Sequence, residues 1–214
     1  KARNIKKHMY FFTKKSTNTD DEFEVKKLMS HRNGRTVHKL KQKSTGTFFA
    51  GKTVYTGDGC NKIKSDVLQA QFDQETELLL TFDHPNVVKC HGVAFDIADS
   101  KYKILLEYMD GGSLEGKHIS NVGELADVSR QVLQGLAYMH RRRVPHWDIK
   151  PSNLLRNGHV VKIADFGVSR YLTTIRDHRE FMDTLSYVSP ERIDVELNDD
   201  VSSGPEYFGG DIWG

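Results

Sequence analysis

Hydrophobic and polar positions change rhythm along this chain. Across 23–55, short runs bearing Val, Phe and Thr are broken by RNG at 32–34 and STG at 44–46. That pattern predicts consecutive antiparallel strands joined by tight turns. Leu68, Phe72, Leu79 and Phe82 then recur at helical spacing. They follow Ser65, an N-cap residue type, and Asp66, whose charge suits the positive helix end. Glu75 falls on the same helical face. HPN at 84–86 ends that helix, and 87–95 and 101–109 read as two further strands around a polar turn.

After the DGG break at 110–112 the period becomes helical again. Leu125, Val128, Val132, Leu136 and Met139 mark an amphipathic helix of about five turns. Arg141, Arg142 and Arg143 close it, where positive charge suits the C-terminal dipole; the same arginines also suit acidic partners. NLLRNGHVVKI, 153–163, reads as a hairpin around Asn157 and Gly158. A strand-rich first half and a helix-led second half, hinged near 107–112, make an α+β chain of two lobes. Residues 1–22, basic and polar around an apolar knot at Met9, Phe11 and Phe12, read as a poorly ordered arm.

Composition narrows the function classes. Thirty-one Lys and Arg against 29 Asp and Glu leave a net charge of +2, far from the positive stripe of a nucleic-acid binder. No apolar run approaches the ~18 residues of a membrane span. Cys60 and Cys90 lack metal or redox spacing and read as reduced thiols of an intracellular protein.

The chemistry lies in the second half. Asp148, Lys150 and Asn153 stand at the spacing D-x-K-x-x-N, and Asp165-Phe166-Gly167 follows at the end of an apolar strand. Phosphoryl transfer needs a carboxylate beside the acceptor hydroxyl, a cation on the moving phosphoryl group and oxygen ligands for metal. Asp148, Lys150 and the pair Asn153 and Asp165 supply these in turn. Their order and separation make the combination specific.

These motifs, with HPNVVKCHG, LLEYMDGGSLEG, GLAYMH, VKIADFGVSR and SYVSPERI, resemble the eukaryotic protein kinases, and among them the plant-type MAP kinase kinases. The resemblance covers 23–214. It implies a kinase-like α+β fold with a β-rich N-lobe (23–107), a hinge (107–112) and a helical C-lobe (113–214) truncated at the start of the buried central helix. It implies ATP and Mg²⁺ as cofactors, a MAP kinase as substrate, phosphorylated on Ser/Thr and Tyr, and an upstream MAP kinase kinase kinase. It implies no nucleic-acid or membrane partner, and a cytoplasmic location with the nucleus open as a second compartment. By the same resemblance Lys52 of FAGK binds phosphate and Glu75 is its ion-pair partner. Leu106 guards the rear of the adenine pocket, and the backbone of Glu107 to Met109 bonds the adenine edge. Val37, Ala50 and Leu155 sandwich the base, and Thr184 contacts Asp148 and Lys150.

Three departures stand against this pattern. In register with Val37, the expected phosphate-loop glycines are Ser30, Arg32 and Arg35, each of which would cost about 1–2 kcal/mol if forced into a left-handed conformation. Trp147 replaces the arginine that grips a phosphorylated activation loop, and Glu180 stands where an acceptor hydroxyl is expected. GDIWG, where the sequence given ends, resembles the beginning of the central helix, with Asp211 bonding the loop near His146. The departures leave a second reading open: an inactive kinase-like docking module or degenerate copy.

Overall fold

The computed structural model describes residues 22–32, 35–55, 79–96, 101–165, 185–190 and 208–214. The chain forms two compact units, one of Lys1–Asp83 with Lys89–Met109, the other of His84–Val88 with Asp110–Gly214. The expected arm at 1–22 and most of the expected helix between Ser65 and Phe82 lie outside the described residues.

The first unit holds a five-stranded antiparallel sheet. Its strands are β1 (Phe23–Arg32), β2 (Arg35–Gln42), β3 (Phe48–Tyr55), β4 (Cys90–Asp96) and β5 (Lys101–Glu107), in the order β1-β2-β3-β5-β4. The STG turn works as its sequence dictates. Gly46 takes a φ of +74° that other residues resist, and its N–H bonds the Gln42 carbonyl at 2.8 Å. Phe23 meets Phe49 edge to face at 5.8 Å, and Phe49 meets His91 in the same way at 5.1 Å, tying β1, β3 and β4 together.

The strand expected from Val87 begins only at Cys90. Val87 forms a parallel bridge with Ile163, and the Val88 N–H bonds the Ile163 carbonyl at 2.9 Å, so this stretch belongs to the second unit. An apolar run satisfies a strand pattern, but here its backbone groups find their partners elsewhere.

In the second unit the helical period of the sequence appears as α1 (Val122–His140). The Asn121 side chain caps it by accepting the N–H groups of Gly123 and Glu124. Its apolar face buries Val128 against Leu114 and Val161, and Leu136 against Ile149 and Ile163. The hairpin β6 (Leu154–Asn157) and β7 (Val160–Ile163) turns at Gly158, whose φ is +59°. The HPN turn is fixed to both by a buried amide pair. Asn86 Nδ2 donates to Gln131 Oε1 and to the Val161 carbonyl, each at 2.9 Å. Gln131 also accepts the Val161 N–H and donates to Asp127 and the His159 carbonyl, so all four of its hydrogen-bonding capacities are used. A short helix α2 (Gly210–Trp213) completes the unit. Among the described residues no helix is long and apolar enough to cross a membrane.

Candidate active site

The loop His146 to Asn153 is held by bonds that its own sequence supplies. Pro151 opens a single 3₁₀ turn, Pro151–Asn153, and the Asn153 N–H bonds the Lys150 carbonyl at 2.9 Å. This turn carries Asn153 back over Asp148. The Asn153 amide nitrogen donates to the Asp148 carbonyl at 2.7 Å and to its carboxylate oxygen Oδ2 at 2.8 Å. Lys150 Nζ pairs with the other oxygen, Oδ1, at 2.9 Å. Asp148, Lys150 and Asn153, singled out by spacing, are therefore brought together around one carboxylate. Asp148 and Lys150 are partly exposed, with side chains 22% and 17% accessible, so the group is open to a reactant.

The loop is stitched to the strand end that presents Asp165. The Ala164 N–H bonds the Asn153 carbonyl at 2.8 Å, and His146 Nε2 donates to the Ala164 carbonyl at 2.9 Å. His146 Nδ1 accepts the Asp148 N–H at 3.2 Å, which fixes the tautomer with the ring proton on Nε2. Asp165 follows directly, in the left-handed region at φ +65°. Phe166 and Gly167, with Thr184, lie outside the described residues.

Asn153 and Asp165 fit a magnesium site by their donor chemistry. The amide nitrogen of Asn153 is spent on Asp148, and its carbonyl oxygen, the metal-binding end, has no protein partner among the described residues. Two protein oxygens suit an ion that keeps waters and phosphate oxygens in its shell. They do not make a closed site, and no cluster of three or more His, Cys, Asp or Glu able to hold a metal occurs among the described residues.

Trp147 sits on a strained backbone at φ +65°, an uncommon place for a bulky residue. What holds it there is Asp211 at the start of α2. One Asp211 oxygen accepts the Trp147 N–H, and the other accepts the His146 N–H at 2.7 Å. The same second oxygen lies 2.7 Å from His140 Nε2, at the end of α1. Burial alone would raise the Asp211 carboxyl, but the bonds from His140, His146 and Trp147 together hold it below the usual carboxylate range. His140, itself stacked on Phe208 at 4.6 Å, is the one anchor that the sequence reasoning missed. Its position in the last turn of α1, one turn after Leu136 and flanking the apolar stripe, was the available signal.

The remaining predicted residues lie mostly in the first unit. Strand register sets Lys39, Ala50 and Leu106 in one cross-strand row and Val37, Lys52 and Ile104 in the next. Alternation then puts Val37, Ala50, Lys52 and Leu106 on one face of the sheet. Lys52 is buried there, only 7% exposed. The Glu107 N–H is spent on the Lys89 carbonyl at 2.9 Å, whereas Met109, also buried, donates no backbone hydrogen bond among the described residues. Leu155 is half-buried on β6 of the second unit, and Glu75 lies outside the described residues.

The positions where the resemblance would place phosphate-loop glycines lie in extended strands. Ser30 pairs with Val37 and Arg32 with Arg35 in an extended β1–β2 ladder. The non-glycine residues with positive φ among those described are Arg143, Trp147 and Asp165, so Ser30, Arg32 and Arg35 carry no left-handed strain. Residues with a Cβ settle into extended pairing, and the ladder rather than a phosphate then dictates where their N–H groups point.

A carboxylate bracketed by Lys150 and Asn153 and an aspartate at the following strand end are the arrangement of a kinase-type chain. The protein kinase domain model matches residues 23–214, and the chain belongs to that family. It is 41% identical over 185 residues to mitogen-activated protein kinase kinase 9 of Arabidopsis thaliana, covering 85% of this chain and 56% of that protein. Mitogen-activated protein kinase kinase 7 of the same plant is 40% identical over 180 residues, with 83% and 55% covered. The tobacco protein mitogen-activated protein kinase kinase SIPKK is 38% identical over 180 residues, with 80% and 48% covered. The chain thus spans about half the length of the relatives it matches.

Proposed function

We propose that this chain transfers the γ-phosphoryl group of ATP to Thr and Tyr hydroxyls of a MAP kinase, under the control of an upstream MAP kinase kinase kinase. The observation that carries the reading is the bracketing of the Asp148 carboxylate by Lys150 at 2.9 Å and Asn153 at 2.8 Å. In this reading Asp148 accepts the proton of the attacking hydroxyl, and Lys150 steadies the charge on the transferred group. Asn153 holds the carboxylate in line and, with Asp165, would hold Mg²⁺, which when bound neutralises phosphate charge. The apolar residues Val37, Ala50 and Leu106 on one sheet face take the base, the Met109 N–H serves its edge, and Lys52 takes a phosphate oxygen. The plant relatives, named as mitogen-activated protein kinase kinases, supply the substrate class.

Two measurements test this. Mg-ATP at millimolar concentration should raise the melting temperature of the chain. Phosphotransfer to a catalytically dead MAP kinase should fall by about a thousandfold or more in Asp148→Asn, a loss of at least about 4 kcal/mol of transition-state stabilisation. No thermal shift with nucleotide, or equal transfer by both proteins, would overturn the reading.

A further inference from the structure

The turn that follows α1 carries three consecutive arginines, and its geometry is poorly suited to one of them. The Val144 N–H bonds the Met139 carbonyl at 3.1 Å and the Arg143 N–H bonds the His140 carbonyl at 2.9 Å, the paired bonds of a Schellman cap. The residue at the left-handed position of such a cap is ordinarily glycine. Here it is Arg143, at φ +60°. A side chain in that conformation lowers stability, and nothing local offsets it, because the Arg143 guanidinium makes no hydrogen bond or ion pair among the described residues. Arg141 is in the same state. Both are exposed.

Arg142 between them is held in place. Its guanidinium stacks 3.6 Å from the centre of the Tyr138 ring and donates to the Tyr138 carbonyl at 3.2 Å. Tyr138 in turn packs on His84 of the HPN turn, with 4.8 Å between ring centres. Capping the helix needs one such contact, and Arg142 provides it. The other two cations are surplus to that need. His84 is held below its ordinary value first by burial and then by the neighbouring charges of Arg141, Arg142 and Lys162.

We propose that Arg141, Arg142 and Arg143 form a docking surface for an Asp- and Glu-rich peptide segment of a partner protein. Arginine forks match carboxylates in pairs, and a stacked, carbonyl-bonded Arg142 loses little freedom on binding. A residue kept at a conformational cost without an internal contact marks a place where external binding sets the choice. The chain as a whole carries only +2, so a long polyanion is the poorer fit. The surface is independent of the phosphotransfer reading.

The test sets stability against binding in the 214-residue chain. The probe is a fluorescein-labelled, Glu-rich peptide of about ten residues, read by anisotropy at low salt. Arg143→Gly should raise the melting temperature by roughly 2–4 °C and weaken peptide binding roughly 5- to 10-fold. Arg141→Gln should weaken binding similarly and leave the melting temperature unchanged. Arg130→Gln removes the same charge from α1, about 16 Å away along the helix axis, where Arg130 is paired with Asp127, and should leave binding unchanged. The proposal is overturned if Arg143→Gly and Arg141→Gln bind as tightly as the parent, or if Arg130→Gln loses as much. It is equally overturned if a single-stranded oligonucleotide of matched charge binds more tightly through the same arginines.

Discussion

The carboxylate of Asp211 accepts the backbone N–H of Trp147, and that bond ties the start of α2 to a left-handed residue in the candidate catalytic loop. With His146 and His140 on its other oxygen, Asp211 is a buried acceptor of three bonds.

Replacing Asp211 by Asn removes the charge and puts an N–H where an acceptor is needed. The expected cost at neutral pH is about 2–4 kcal/mol, read by chemical denaturation. The pH dependence has a definite sign. Because the folded carboxyl is held below its ordinary value, the unfolded chain binds a proton first as pH falls. The stabilisation is fully present above about pH 4, the ordinary carboxylate value, and is lost as pH drops through the folded value. The stability gap between the parent and Asp211→Asn should therefore be widest at neutral pH and narrow below about pH 4. A gap that stays constant down to acid unfolding would show that the charge of Asp211 contributes nothing.

Cys90 is the buried thiol of β4, bonded only weakly to the Gly92 carbonyl, and burial pushes it up to about 12. The thiolate is the reactive form, so at pH 8 the folded chain should leave Cys90 essentially unmodified by iodoacetamide. Mass-spectrometric mapping should show it alkylated only once denaturant has unfolded the sheet. Rapid modification of the native chain would mean that β4 opens easily.

Much of this architecture was legible because the sequence keeps each local rule. The hairpin at Asn157 and Gly158, the cap-ready Asn121 and the stripe from Leu125 to Met139 announce their elements through chemistry acting over a few residues. The bracketed carboxylate was legible for another reason: Asp148, Lys150 and Asn153 are five residues apart or fewer, within a single loop. What stayed hidden depends on distant partners. Val87 and Val88 read as strand, yet Val87 bridges to Ile163 and the Val88 N–H bonds the Ile163 carbonyl, more than seventy residues on. His140 has an ordinary place at a helix end until Asp211 arrives beside it.

On the proposed phosphotransfer reading, Trp147 bears on regulation rather than on the chemistry of Asp148. Its ring has one N–H and no charge, so it cannot take a phosphate as a guanidinium does. Trp147→Arg should lower stability by about 1–2 kcal/mol, because a half-buried indole is lost and the left-handed backbone remains. In chain treated with phosphatase, the variant should transfer phosphate at the parent rate, within about twofold, and gain only after phosphorylation by an upstream kinase. A gain in the dephosphorylated chain would place the effect at the catalytic carboxylate instead.

Gly135 gives the sharpest test of how α1 meets the HPN turn. In an ordinary helix interior, Gly→Ala stabilises by about 1 kcal/mol, since alanine loses less backbone entropy. At position 135 the added Cβ would stand 2.8 Å from the Asn86 carbonyl oxygen and 2.9 Å from Ile163 Cδ1. The isoleucine can shift its terminal methyl, but the carbonyl cannot move freely. That carbonyl accepts the Ile163 N–H at 2.9 Å, and the Asn86 side chain is locked to Gln131. Relief would require α1 to move away from a network in which Gln131 has no spare bond. Gly135→Ala should therefore destabilise by about 1–3 kcal/mol, reversing the usual sign. Gly123→Ala provides the milder comparison in the same helix, because there the nearest atom is the end of a side chain, Asn121 Oδ1 at 3.1 Å, and no backbone atom from outside the helix stands close. Equal melting temperatures for the two alanine variants would mean that the turn and the helix are not closely apposed.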